Sequence, residues 1–127
     1  MRCRGPGHAL ASRAMIDPVQ EGLLKAGVAT ARRHLFLCLG PNCCALATGQ
    51  ETWDYMKRRI KETGLPAMRT KADCLRICSQ GPVLVVYPEG IWYTGVTPER
   101  FERILQNHLI GGVPIREWVV AEQPLRG

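Results

Sequence analysis

No apolar run in the sequence approaches the roughly 20 residues that a bilayer span requires. The N-terminus carries Arg2, Arg4 and Arg13 but no apolar segment of the kind a secretory signal needs. The expectation is therefore a cytoplasmic protein without a membrane span. Aromatic residues are few, at 6% of the chain. No basic stripe is interleaved with them and no known nucleic-acid module is present, so nucleic-acid binding is not expected. The motif C-x-x-C is absent, which removes the usual signature of thiol–disulfide exchange. There are only 3 histidines. His34 and His108 have no accompanying nucleophile and read as structural residues at a strand edge and a helix end. Internal repeats and low-complexity tracts are also lacking.

What is present fits one modest domain of 127 residues. The formal net charge of +6 is unevenly distributed. Residues 1–33 hold six basic side chains against Asp17 and Glu21, whereas residues 34–127 hold eleven against nine. Residues 1–33 therefore read as a basic extension, residues 34–121 as the folded domain and residues 122–127 as a tail. Six cysteines, at positions 3, 38, 43, 44, 74 and 78, exceed what core packing usually uses. In a reducing compartment they point to metal binding or redox chemistry rather than to a disulfide framework.

Along the chain, a short helix is possible around Val19–Ala26. His34–Leu39 is a short apolar run closed by Gly40-Pro41, as a buried strand would be. Thr48 and Glu51 fit a capping box. Trp53, Met56 and Ile60 then recur at helical spacing until Gly64 and Pro66, which predicts an amphipathic helix over 50–63 with Trp53 and Met56 in the core. Ala67–Ala72 is a further strand candidate. Val83–Tyr87 is apolar on both faces, as a central strand would be. Pro88-Glu89-Gly90 supplies turn chemistry, and Ile91–Thr94 returns as the partner strand. Thr97 caps a last helix with Pro98 at its first position, an apolar stripe at Phe101, Ile104, Leu105 and Leu109, and Gly111-Gly112 at its end. Val113–Ala121 reads as an extended tail. The order predicts an α/β sandwich, a mixed central sheet with helices packed on it, in a thioredoxin-type layout.

The thiols carry the chemistry. Cys74 and Cys78 are four residues apart, which on a helical turn places both sulfurs on one face. Asp73 is placed to cap such a turn. Cys38 ends the first apolar strand, and Cys43 and Cys44 follow in the next loop. Four thiolates from two loops can hold a [2Fe–2S] cluster or a zinc ion. Zinc ribbons usually use shorter C-x2-C knuckles, which favours iron without deciding it. Gly40, Gly49 and Gly81 would free backbone to approach sulfur, and Lys71 and Arg76 flank the second pair.

On these residues the chain resembles the thioredoxin-like [2Fe–2S] ferredoxins, and it is similar to the small [2Fe–2S] subunit of NADH–quinone oxidoreductases. The resemblance spans about residues 33–120. It rests on His34–Cys38, on Cys74-Leu-Arg-Ile-Cys78, on Gly81–Tyr93 with its Tyr-Pro-Glu-Gly-Ile-Trp-Tyr hairpin, and on His108–Gly112. It implies a one-electron carrier rather than an enzyme, a redox partner protein, and a homodimer formed through the sheet region. Trp92 and Tyr93 of the hairpin would serve that interface or pack on the last helix. It also implies four cluster ligands. Cys38, Cys74 and Cys78 carry over directly. The remaining ligand is Cys44, which keeps the family's distance to Trp53 and Met56, with Cys43 as the alternative. Cys3 has no counterpart in the family. A zinc-binding or vestigial structural module on the same fold is the competing reading.

Overall fold

The structure, a computed structural model, describes residues 17–39, 46–73, 75 and 81–125. The first element is helix α1, Pro18–Ala26. The Asp17 side chain accepts from the Val19 N–H at 3.1 Å, Pro18 opens the helix, and Gly27 closes it at φ 76°. None of its residues is buried.

Strand β1, Arg33–Cys38, follows, then helix α2, Leu46–Thr63, and strand β2, Ala67–Ala72. α2 begins before the capping box that the sequence suggests, so Thr48 is its third residue and not its cap. Leu46 and Ala47 are strong helix formers and extend the helix backwards through the motif. Strand β3, Leu84–Tyr87, and strand β4, Ile91–Tyr93, form the hairpin across Pro88–Gly90, with Gly90 at φ 70°. Helix α3, Pro98–Ile104, starts at Thr97, whose hydroxyl accepts from the Arg100 N–H at 3.2 Å. It runs on as a π-helical segment, Leu105–Ile110.

Val113–Ala121, expected as an extended tail, instead holds regular structure. A 3₁₀ turn, Arg116–Trp118, leads into strand β5, Val119–Glu122, which pairs antiparallel with β4. The sheet order is β2-β1-β3-β4-β5, with β1 parallel to β2 and the other pairs antiparallel. β3 is central, and Val83, Leu84, Val85 and Val86 are all buried, which is why the run is apolar on both faces.

Alternation along β1 divides the molecule. Leu35 and Leu37 face the main core, together with Leu84, Val86, Ile91 and Tyr93. Met56 of α2 and Phe101, Ile104, Leu105 and Leu109 of the last helix close over them. The other sheet face has a smaller cluster, Cys38 and Val83 with Leu75 and Trp92, and among the described residues no helix residue belongs to it.

Candidate metal centre

Cys38 is the last residue of β1, and its neighbours are fixed by three strands. It stands opposite Ala72 at the end of β2. Its N–H donates to the Val83 carbonyl at 2.9 Å, and the Leu39 N–H donates to the Ala72 carbonyl at 2.8 Å. The thiol is wholly buried, and its Sγ donates to the Asp73 carbonyl at 3.7 Å. Pro82, whose peptide bond to Gly81 is cis, accepts from the Val96 N–H at 3.0 Å. The residues that border both cysteine-bearing segments, Leu39 and Asp73 with the returning Pro82-Val83, thus meet at one end of the sheet. Cys43, Cys44, Cys74 and Cys78, with Gly40 and Arg76, lie outside the described residues, as does the turn that Asp73 would cap.

Cys38 suits a cluster or a zinc ion by its chemistry: it is a soft sulfur donor, removed from solvent, on a rigid strand end. Among the described residues no group of three or more His, Cys, Asp or Glu forms a metal site. Lys71 is exposed and lies 5.8 Å from the centroid of the Trp53 ring. Gly49 is a buried residue of α2. Trp53 packs against the core and Met56 is inside it, as their helical spacing predicts.

Both described histidines are held in hydrogen bonds away from Cys38. His34 stacks on Phe36 at 4.3 Å, and its Nε2 pairs with the Thr70 hydroxyl at 2.7 Å. Burial lowers its pKa. His108 is wholly buried between Tyr93 and Glu89. Tyr93 is therefore a core residue packed on the last helix, not an exposed aromatic of the hairpin. The polar group Arg33–Glu89–His108–Tyr93 has no signature in the sequence, because its members come from four separate elements at unrelated spacings. Glu89 reads there only as a turn residue.

No helix among the described residues is long and apolar enough to cross a membrane. No protein-family model matches the chain. It is 30% identical over 100 residues to a 2Fe-2S ferredoxin of Aquifex aeolicus, which covers 71% of this chain and 90% of that protein. It is 31% identical over 97 residues to a 2Fe-2S ferredoxin of Clostridium pasteurianum, covering 67% and 92% of the two chains. The solved structure of a thioredoxin-like [2Fe-2S] ferredoxin from Aquifex aeolicus superposes with a TM-score of 0.66 at 30% identity, over 76% of this chain and 97% of the other. This agreement of sequence and fold makes the chain a member of the thioredoxin-like [2Fe–2S] ferredoxin family.

Proposed function

We infer that the protein is a one-electron carrier, working with a redox partner and not itself an enzyme. Its kinship with 2Fe-2S ferredoxins along nearly their whole length carries this reading. When bound, a [2Fe–2S] cluster supplies a couple that takes up and releases single electrons. The chain's part is to hold and shield it. The buried Cys38 thiol, fixed by β2 and β3, is a ligand in this reading, with Cys74, Cys78 and Cys44 as the others and Cys43 as the alternative to Cys44. The convergence of the borders of both cysteine segments supports two loops serving one centre. A zinc or vestigial module has no comparable support.

Anaerobically prepared protein is expected to be brown, with iron and labile sulfide in equal amounts and an S = 1/2 resonance on reduction. Colourless protein containing zinc and no sulfide would overturn the reading. Between the two neighbours, Cys44→Ser is expected to change the visible spectrum strongly and Cys43→Ser to leave it nearly intact; the reverse result would reassign the ligand.

The reading extends to a cytoplasmic homodimer, able to serve as partner or subunit of an oxidoreductase. The sheet face on which no helix among the described residues packs supports the dimer. Phe36, Val85 and Trp92 stand in one row across it, and Phe36 and Trp92 keep part of their surface exposed.

A further inference from the structure

β2 is the outer strand beside β1. Its Arg69 and Lys71 stand opposite Leu35 and Leu37, which are wholly buried under the helices. Partners in register share a face of a sheet, so both cations rise on the helix side, past the end of the core. There they meet Trp53 of α2. The Arg69 guanidinium lies 4.2 Å and the Lys71 ammonium 5.8 Å from the ring centroid. One indole therefore orders two cations.

These cations differ from the structural arginines. Arg33, Arg59 and Arg116 are each held by a carboxylate, from Glu89, Glu102 and Glu122. Arg69 and Lys71 make no ion pair among the described residues. Among the described residues only the field of Asp54 reaches Arg69. The pair also sits beside the thiol-bearing strand end, since Lys71 is opposite Leu37, the residue before Cys38.

We propose that Trp53, Arg69 and Lys71 form the docking surface for an acidic patch on the electron-transfer partner. This rests on the electron-carrier reading and adds where the partner binds and what charge it carries. Uncompensated cations near the point of electron exit speed encounter with an acidic protein and orient it. On a sheet edge they also oppose strand addition, so the partner is received through side chains and not through a shared ladder. Asp54 of α2, whose field reaches Arg69, interrupts the positive run, which suits a patterned protein surface better than a continuous phosphate backbone.

The test uses the full-length cluster-loaded protein and poly-L-glutamate as an acidic probe, with affinity measured by calorimetry at low salt. Arg69→Glu/Lys71→Glu is compared with Arg100→Glu/Arg103→Glu. The latter pair stacks on Trp118, which precedes β5 at the opposite sheet edge, and changes the net charge equally. The first variant is expected to lose roughly tenfold in affinity and the second less than about twofold. As a second readout, reduced protein gives one electron to hexacyanoferrate(III), forming hexacyanoferrate(II). The rate should fall with ionic strength in the unmodified protein and lose most of that dependence only in the first variant. The Gln pairs at the same positions serve as a repeat if the Glu pairs do not fold. Equal losses in both variants, or no loss, overturn the proposal. Tighter binding of duplex DNA than of polyglutamate through the same pair also overturns it, in favour of a nucleic-acid partner. If the visible bands and labile sulfide are absent, the electron-carrier reading fails and this proposal with it; if they are present and only the affinities are unmoved, the docking surface alone fails.

Discussion

His108 has no exposed surface, yet both ring nitrogens are partnered. The Ile115 N–H donates to the Tyr93 hydroxyl at 3.3 Å, which leaves the Tyr93 O–H to donate to His108 Nδ1 at 2.9 Å. His108 Nε2–H then donates to Glu89 Oε2 at 3.2 Å, where Arg33 also donates at 2.8 Å. This network fixes the neutral tautomer of the ring. Burial pushes the His108 pKa down, the Glu89 carboxylate pulls it up, and the charges of Arg33 and Arg116 lower it further; the net direction is down from 6.5. The unfolded chain therefore takes up a proton that the folded chain resists. Stability from this site is complete above about pH 6.5 and is lost as pH falls below it. Glu89 extends the loss at lower pH. Burial raises its pKa, but the Arg33 and His108 interactions outweigh this and hold the carboxyl below 4.5. The melting temperature is expected to drop with acidification from about pH 6.5, and His108→Gln to flatten that first part of the curve. An unchanged slope in the variant would remove His108 as the cause. Tyr93→Phe strips two buried groups of their partner and should cost about 1–3 kcal/mol in urea denaturation. At this scale the sequence shows which residue types are suited to sulfur ligation and to the core, through Cys38, Trp53 and Met56. It does not show the His108 network, which exists only once β1, the hairpin and the last helix are packed together.

α2 and α3 are joined by a carboxylate clamp. Glu102 accepts from Arg59 Nε at 2.9 Å and from Arg59 Nη2 at 3.1 Å, a bidentate pair, and also from the Tyr55 hydroxyl at 2.6 Å and Gln106 at 2.8 Å. The Arg59 hydrogen bonds, then those from Tyr55 and Gln106, bring the Glu102 pKa down from 4.5 to about 2. Its contribution is thus present above pH 4.5 and lost as pH falls towards 2. An exposed ion pair contributes roughly 0–1 kcal/mol and a charge-assisted hydrogen bond about 1.5–3 kcal/mol. For this partly exposed but bidentate group, Glu102→Gln should cost about 1 kcal/mol at neutral pH. The difference from the unmodified protein should shrink towards zero near pH 2, and a constant difference would show that the charge is not responsible. Elements with strong local signals are legible in the sequence, such as α3 with its Thr97 cap and Pro98, and the hairpin with Gly90. β5 is not legible. Val119–Glu122 is only partly buried at one end and exposed over the rest, so its alternation is weak, and its pairing to β4 is set by a partner far away in the chain.

The two faces of the sheet are unequal, and this asymmetry governs the whole molecule. One face is closed by α2 and α3 over a core that includes Leu35, Leu37, Tyr93 and Phe101. That half of the architecture follows from periodicity, caps and breakers taken with the order of the elements, which is why a mixed sheet with helices on it is foreseeable from the sequence. The other face carries an aromatic run: His34 stacks on Phe36, Phe36 meets Tyr87 edge-on at 6.2 Å, and Trp92 lies beyond Val85 in the same row. These rings keep part of their surface in water, whereas Val85 beneath them is almost wholly buried. An apolar sheet face on which no helix among the described residues packs is what a second copy would cover, and a C2 axis would bring the same row of each protomer together. Tryptophan in such a face, one strand from its centre, would be an anchor whose removal costs at least ~2 kcal/mol, roughly a 30-fold weakening of association. Trp92→Asp adds a charge that the dimer would have to desolvate, which increases the loss. Light scattering of the cluster-loaded protein is expected to give twice the chain mass, and the variant the mass of one chain at the same concentration, with the visible spectrum and far-ultraviolet circular dichroism retained. If the variant keeps the doubled mass, the aromatic face is not the interface; if the unmodified protein is already a single chain, the face meets a partner of another kind.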